Sequence, residues 1–313
     1  MLQCISTVVV ERYCIAVGLL RHRKNTKIVQ IWHAPDAIKK FGYQTLDTPS
    51  GLRGDVARVM GVHRNYSYVI CPAKAVASYF CEAFDVDESK LAYLGLPRVD
   101  FISEIARVRR ADRKDNRIEE VECEDSSLRL KARIEERYPV LKDRGLRTLL
   151  YAPTFRDGRP IDAEGLLRRI DFRSYNAVLK LHPLDRSEIR FEAARAEGLI
   201  IDEDFGAIDW FSVADAAITD YSGFAVECAV AKLPTYFYVY DLEEYMKERG
   251  LNIDLREEAI ARYVFEDAAR LMDCVEGEPY DFEALRAFRE KYLECEDFGN
   301  TERLAAFAAH SMI

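Results

Sequence analysis

Two of the five histidines directly follow apolar segments that have the character of β-strands. His33 comes after the run Ile28–Trp32, and His182 comes after Ala177–Leu181. In parallel α/β sheets, ligands bind at the carboxyl ends of the strands. A neutral imidazole accepts the proton of an attacking hydroxyl near pH 7. We therefore interpret His33 as a candidate general base and His182 as a hydrogen-bond donor to a phosphate, against the ordinary alternative of structural histidines.

A strand-to-turn-to-helix pattern covers Ile218–Glu227. The strand ends in small hydroxyl residues and a glycine, and an apolar helix follows. The free N–H groups of that helix, with the hydroxyls of Thr219 and Ser222 beside Gly223, would form an anion site suited to a diphosphate. Glu227 lies about one turn into the helix, where a ribose would offer hydroxyls. The alternative is an ordinary helix start with Ser222 as the N-cap.

Charged residues also follow the other predicted strands. Arg156 suits a forked contact to phosphate oxygens, although a purely structural pairing with Asp157 fits the same spacing. Lys39 and Lys40, in the loop after His33, are candidates for an anionic acceptor, and solvated surface lysines are the alternative. The remaining candidates at predicted strand ends are Thr154 and Lys180 for the donor and Arg98 for the acceptor.

Several function classes are disfavoured by composition and by missing motifs. The net charge of −9 and pI near 5.3 argue against a nucleic-acid binder, which would carry a basic excess. Neither a P-loop nor a dinucleotide fingerprint occurs, and no histidine pair has metal-ligand spacing, so no cofactor and no metal are expected. The eight cysteines lack C-x-x-C spacing and indicate reduced thiols. Without a signal peptide or bilayer-spanning stretch, the sequence predicts a cytoplasmic protein.

The elements that would position these candidate residues are short apolar runs that alternate with helical patterns. Such runs are typical of strands buried on both faces of a parallel sheet, so the sequence predicts the α/β class. A densely charged stretch without strand signals, Ser103–Arg147, separates two such regions. We predict a first domain over 1–102, a helical connector over 103–145, a second domain over 146–285 and a terminal helix over 286–313. The predicted strands are Thr7–Val10, Ile28–Trp32, Tyr68–Cys71, Leu91–Leu94, Thr148–Ala152, Ala177–Leu181, Leu199–Ile201, Ala216–Thr219 and Thr235–Val239.

Five ordered blocks resemble a known family. They are Ile31–Ala34 with Lys39–Tyr43, Gly95–Asp100, Tyr151–Asp157, Lys180–Pro183 and Thr219–Gly223. Together, over about residues 7 to 245, they resemble the CDP-glycerol glycerophosphotransferases, the primases and polymerases of wall teichoic acid. The resemblance implies a GT-B fold, in which two Rossmann-like domains face each other across a cleft.

The resemblance also implies roles for individual residues. His33 and His182 correspond to two histidines that the family requires, and His33 is the base toward the acceptor. Glu227 would contact the ribose. The donor diphosphate would bind Thr219, Ser222 and Gly223, with support from Thr154 and Arg156. The implied donor is CDP-glycerol or CDP-ribitol, the acceptor is lipid-linked at the inner membrane face, and CMP leaves.

Two departures from the family pattern keep alternatives open. Only 32 residues precede His33, fewer than is usual in the family, which implies a first domain without its early strands. Gly223 stands where the family often has a second serine. The alternatives are a GT-B glycosyltransferase or nucleotide-sugar epimerase, and an inactive nucleotide-binding homologue.

Overall fold

The strands lie in two separate parallel sheets. The computed structural model describes residues 7–113, 125–143, 145–156, 159–182, 185, 197–277, 279–295 and 298–309. In these residues the first sheet has the order β1-β2-β3-β4 and the second has the order β10-β9-β8-β5-β6-β7. Every strand pair is parallel, so the predicted α/β class is confirmed. The strands are β1 (Thr7–Val10), β2 (Lys27–Gln30), β3 (Tyr68–Ile70), β4 (Leu91–Ala92), β5 (Arg147–Tyr151), β6 (Tyr175–Leu179), β7 (Leu199–Ile201), β8 (Ala216–Thr219), β9 (Thr235–Tyr238) and β10 (Val264–Phe265).

Helices connect the strands, as parallel crossovers require. A 3₁₀ turn at Lys74–Val76 leads into the helix Ala77–Phe84, and within the charged connector the helix Asp125–Arg137 ends two residues before Pro139. The described helices are α1 (Ile15–Leu19), α2 (Gly54–Met60), α3 (Ala77–Phe84), α4 (Pro97–Arg113), α5 (Asp125–Arg137), α6 (Val140–Asp143), α7 (Ala163–Leu167), α8 (Phe224–Val230), α9 (Leu242–Glu248), α10 (Ala268–Gly277), α11 (Phe282–Tyr292) and α12 (Asn300–Ala309).

The chain divides into two compact units, each built on one sheet. Unit 1 comprises Met1–Asp100, Glu243–Asp254 and Arg289–Ile313, and unit 2 comprises Phe101–Leu242 and Leu255–Phe288. The predicted domains are continuous ranges, whereas unit 1 combines three separate ranges, because the chain returns to it twice. Gln44 and Asn252 exchange side-chain hydrogen bonds of 3.0 Å in unit 1, 208 positions apart. Contacts over such separations leave no local pattern in the sequence.

The strand order of unit 2 reverses between β5 and β8. From β5 the chain runs outward through β6 and β7, and it then returns to the other side of β5 as β8, β9 and β10. Such a reversal is the topological switch point where open α/β sheets bind ligands. Leu149 and Leu150 of β5 and Ile218 of β8 are fully buried around it, which makes the switch point rigid.

The predicted strand through Trp32 is wrong at its end. β2 stops at Gln30, and Trp32 has a φ of 53°, in the left-handed region that β-branched and bulky residues rarely adopt. The Gln30 Oε1 atom accepts a 2.8 Å hydrogen bond from the Trp32 N–H and so holds this turn. The short strand β10 was not predicted, because two residues carry no periodicity.

Candidate active site

The turn after β8 is the centre of the candidate site in unit 2. It runs from Asp220 to Gly223 and leads into α8. Ser222 is partly exposed, and its Oγ atom accepts a 3.2 Å hydrogen bond from the Phe224 N–H. The main-chain N–H groups of Ser222 and Gly223 have no hydrogen-bond partner within the part of the chain that the structure describes. Two adjacent N–H groups at a switch point are donors suited to an anion.

A buried ion network lies behind this turn. The Arg156 side chain is fully buried, and its Nε and Nη2 atoms donate to the two carboxylate oxygens of Asp241 at 2.7 and 2.9 Å. Nη2 also donates to Asp220 at 2.9 Å, and Nη1 donates to the Thr154 carbonyl at 2.6 Å. This bidentate geometry fixes the strand-end loops of β5, β8 and β9 to one another.

Asp220 ties the loop after β5 to the turn after β8. Its carboxylate accepts hydrogen bonds from the N–H and hydroxyl of Thr154 and from the Tyr221 N–H. Burial alone would raise the pKa of Asp241, but the hydrogen bonds and charge of Arg156 outweigh burial and lower it. Asp241 therefore holds the Arg156 cation as an anion, and Asp220 accepts a further hydrogen bond from the same guanidinium.

Lys180 and His182 follow β6 at the same edge. The Lys180 side chain is mostly buried. Its Nζ atom donates to the Asp202 carbonyl at 3.0 Å and to the Asp202 carboxylate at 3.1 Å. His182 is exposed, and its ring lies 5.8 Å from the ring of Phe155, centroid to centroid. His182 is thus accessible to a ligand, whereas the charge of Lys180 is already balanced within the fold.

The second candidate region lies at the strand ends of unit 1. His33 reaches solvent, but its ring also packs at 4.0 Å, centroid to centroid, on Trp32, so the imidazole is partly desolvated. Trp32 in turn stacks on Phe41 at 5.2 Å and meets Phe84 edge-on at 5.3 Å. A buried aromatic cluster therefore positions the base candidate.

The protonation of His33 is set by its surroundings. Partial burial and the positive charges of Arg12 and Lys39 lower the pKa of His33 to about 4, and Arg98 acts in the same direction. The imidazole is neutral near pH 7, as a proton acceptor must be. Arg12, Lys39 and Arg98 also make this edge of the sheet electropositive, and an anionic ligand bound there would raise the pKa of His33.

Comparison with known proteins places the whole chain in one family. A family model described as CDP-Glycerol:Poly(glycerophosphate) glycerophosphotransferase matches residues 2–308. The chain belongs to that family. It is 30% identical over 308 residues to the teichoic acid ribitol-phosphate primase of Bacillus spizizenii, covering 95% of this chain and 73% of the primase. It is 27% identical over 294 residues to the teichoic acid poly(ribitol-phosphate) polymerase of the same organism, covering 91% of this chain and 43% of the polymerase.

A solved structure carries the same fold. The wall teichoic acid polymerase TagF matches with a TM-score of 0.64 at 20% identity, over 96% of this chain and 70% of that chain. At this identity the likeness concerns the fold, and it agrees with the GT-B-like expectation. As a glycerophosphotransferase family member, the chain is a transferase of teichoic acid synthesis.

Three predicted donor residues of this glycerophosphotransferase family member face inward. The Thr219 side chain is fully buried, and its hydroxyl donates to the Ala152 carbonyl at 2.9 Å, so it is not presented to a diphosphate. The four described bonds of the Arg156 guanidinium go to protein oxygens. Glu227 is only 4% exposed within α8. The prediction that Thr219 and Arg156 contact phosphate directly is therefore corrected. Both side chains support the turn instead, because their hydrogen-bonding groups already have protein partners that are distant in sequence.

The unit 1 candidates separate into two groups. Lys39 and Arg98 lie close enough to His33 to influence its charge. The methylenes of Lys40 pack on Gly250, where an added Cβ would meet Lys40 Cδ at 3.0 Å, and the Arg249 Nε atom donates to its carbonyl at 3.1 Å. Lys40 thus contributes to the attachment of the 243–254 segment. Asp157 and Pro183 lie outside the described residues.

The interpretation of the sequence missed three charged residues. Asp220 belongs to the recognised motif but received no role, Asp241 follows a predicted strand, and Arg12 follows β1 near His33. Position at a strand end was the available signal for all three. Nothing local in the sequence indicates that Asp241 pairs with Arg156, 85 positions earlier.

In the described residues no helix is long and apolar enough to cross a membrane. Across those same residues, no group of three or more histidine, cysteine, aspartate or glutamate side chains is arranged to hold a metal ion. The expectation that no cofactor takes part stays a prediction.

Proposed function

We propose that this protein transfers a polyol phosphate from CDP-glycerol or CDP-ribitol to a hydroxyl of a lipid-linked teichoic acid acceptor. The observation that carries the proposal is the turn at the switch point of unit 2, where the N–H groups of Ser222 and Gly223 and the Ser222 hydroxyl lie together. Family membership points to the same donor. A TagF structure soaked with CDPG provides a related precedent for that donor class.

The reaction follows from the chemistry of the donor. The acceptor oxygen attacks the β-phosphorus and forms a new O–P bond, while the bond from that phosphorus to the bridging oxygen breaks and CMP leaves. The neutral His33 takes the proton of the attacking hydroxyl, and the exposed His182 donates a hydrogen bond to phosphate oxygens. Charge accumulates on the phosphoryl oxygens, so positioning and fixed N–H donors supply most of the rate enhancement.

The test of this function is CMP release. With a lipid-linked acceptor, we expect CMP to appear with CDP-glycerol or CDP-ribitol as donor, and each CDP-polyol that is used should also raise the unfolding temperature. Nucleotide analysis by chromatography and a thermal-shift series with UDP-sugars as the control provide the two readouts. Stabilisation by UDP-sugars alone would favour a glycosyltransferase or epimerase. CDP binding without CMP release for any acceptor would indicate an inactive homologue.

We propose that an exposed apolar surface of unit 1, called the membrane-facing surface below, contacts the bilayer that carries a lipid-linked acceptor. Helix α1 packs tightly against the end of α2, since a Cβ on Gly18 would lie 2.3 Å from the Gly61 carbonyl oxygen. The two helices and the residues beside them expose large apolar side chains, including Val59 at 78% and Leu20 at 61%. Cationic residues close to these helices in sequence are Arg12, Arg21, Arg23, Lys24, Arg53 and Arg58. Exposed apolar side chains combined with cationic residues suit an anionic bilayer surface.

The membrane-facing surface predicts peripheral binding to anionic lipid. We expect the protein to float with vesicles that contain phosphatidylglycerol, and the Leu20→Asp/Val59→Asp variant to lose most of this binding, because two carboxylates replace inserted side chains. The matched control is Leu128→Asp/Met246→Asp, which changes two similarly exposed apolar residues elsewhere. Equal loss of flotation in both variants would show that net charge, rather than this surface, governs membrane association.

A further inference from the structure

Unit 1 contains a cavity that is lined by none of the candidate site residues predicted from the sequence. Its volume is about 510 Å³, within the range of small-molecule sites. The buried aromatic residues His63, Tyr66 and Phe84 line it, together with the exposed cations Arg58, Arg64 and Lys90. We call this space the α2 cavity, because Gly54 and Arg58 of that helix also line it. The cavity combines an aromatic interior with a cationic rim.

Two of the three cations keep their charge available. Neither the Arg58 nor the Arg64 side chain has an ion pair or hydrogen bond with any residue in the described ranges. Lys90 donates to the Tyr66 carbonyl at 3.1 Å. A guanidinium group is the side chain best shaped to bind a phosphate with two parallel hydrogen bonds.

Two carboxylates moderate the charge of the cavity. Asp47 accepts a 2.9 Å hydrogen bond from the Gly54 N–H and retains its second oxygen, and Asp85, the residue directly after α3, also lines the cavity. Carboxylates accept hydrogen bonds from hydroxyl groups. Guanidinium groups and carboxylates within one cavity suit a ligand that bears both phosphates and free hydroxyls.

His63 adds an uncharged polar group to the interior. It is 8% exposed, its Nδ1 atom is 3.1 Å from the Tyr66 hydroxyl, and burial lowers the pKa of His63 to about 4. The imidazole is therefore neutral near pH 7. Its Nε2 atom has no hydrogen-bond partner among the residues the structure describes. A ring nitrogen of a residue that lines the cavity, without a protein partner, is available for a hydrogen bond with a ligand hydroxyl.

The α2 cavity is coupled to the candidate base through one aromatic residue. The ring of His63 lies 6.1 Å and that of Phe84 5.3 Å from Trp32, centroid to centroid, and Trp32 packs on His33. Occupation of the cavity therefore bears directly on the cluster that positions His33. An acceptor bound in part within the cavity would have its remaining length near this edge of unit 1.

We propose that the α2 cavity binds a phosphate-bearing polyol segment of the acceptor, with Arg58 and Arg64 on the phosphates and His63, Asp47 and Asp85 on the hydroxyls. This inference rests on the proposed function, because it assigns the acceptor's anionic part to a site beside His33. The same phosphate chemistry occurs in lipid headgroups, so the experiment separates soluble polyol phosphate from lipid.

The experiment measures binding of a short, soluble, phosphodiester-linked glycerol oligomer to the full chain by calorimetry without membranes. We expect binding to weaken at least about tenfold in Arg58→Gln/Arg64→Gln, since two bidentate phosphate contacts are lost. The control Arg173→Gln/Arg286→Gln removes two exposed arginines of unit 2 that pair with acidic neighbours, and it should bind like the wild type. An uncharged glycerol oligomer should not bind.

Kinetic measurements separate this inference from the proposed function. In the transfer assay, the KM for the acceptor should rise at least about tenfold in Arg58→Gln/Arg64→Gln, and the KM for the CDP donor should change less than about twofold. Unchanged oligomer affinity in this variant, or binding to anionic vesicles but not to the soluble oligomer, overturns the cavity assignment. If the wild type binds the oligomer yet transfers nothing, the proposed function fails and the cavity remains supported. Arg64→Glu is a second variant should the double substitution unfold.

Discussion

Replacing His33 by alanine is expected to lower kcat for CMP release by about 10²- to 10⁴-fold, the usual contribution of a positioned general base. The imidazole reaches solvent, packs on Trp32 and is neutral near pH 7, so it is able to accept a proton. Donor affinity should change little, because the proposed diphosphate turn belongs to unit 2. The assay is CMP release at saturating donor and acceptor.

The control for this substitution is His22→Ala. The His22 Nε2 atom is hydrogen-bonded to the Val17 carbonyl at 2.8 Å, and no catalytic role is assigned to it. Normal turnover of the His33→Ala variant, with intact fold and donor binding, would remove His33 from the mechanism and leave the family membership untouched.

The pH dependence follows from the direction of the pKa shift of His33. The neutral imidazole is the active form, so activity is lost as pH falls through the pKa. In the free enzyme that value is about 4, below the ordinary 6.5, because partial burial and nearby cations disfavour the imidazolium. We therefore expect kcat/KM to stay constant through pH 6 and to decline toward pH 4. The corresponding decline in kcat should occur at a higher pH, because the bound phosphates raise the pKa of His33.

Replacing Arg156 by methionine is expected to destabilise unit 2 by about 3–5 kcal/mol, the cost of leaving buried carboxylates without their cation. Asp220 and Asp241 are both nearly fully buried and share this guanidinium. Their charges would have to be desolvated without compensation or neutralised by protonation. Chemical denaturation followed by fluorescence, with separate transitions assigned to the two units, measures the loss.

The matched control is Arg159→Met. Arg159 pairs with Asp241 at 2.8 Å but is partly exposed, so its removal should cost far less. Arg156→Lys should give an intermediate result, because an ammonium group retains the charge but not the planar fork. A wild-type denaturation midpoint for Arg156→Met would contradict the structural role and would reopen the earlier interpretation of Arg156 as a phosphate ligand.

The fold class and the sheet edge that carries the polar residues are predictable from the residues alone. Strands buried on both faces need continuous apolar runs, and parallel pairing brings the residues after each run to one edge. For this reason the sequence indicates five residues at strand ends, which are His33, Arg98, Thr154, His182 and Ser222. The same logic indicated a strand-to-helix turn after β8 and two sheet-forming regions on either side of a charged connector.

The availability of each strand-end residue to a ligand depends on contacts that form only in the folded chain. Arg156 and Thr219 belong to the same edge as Ser222, yet their donors go to Asp241, Asp220 and the Ala152 carbonyl. Three further features could not be predicted from the sequence: the left-handed conformation of Trp32, the return of residues 243–254 to unit 1, and the α2 cavity. The physical reason is common to all of them: hydrogen-bond partners tens to hundreds of positions apart compete for each polar group, and only the folded chain brings those partners together.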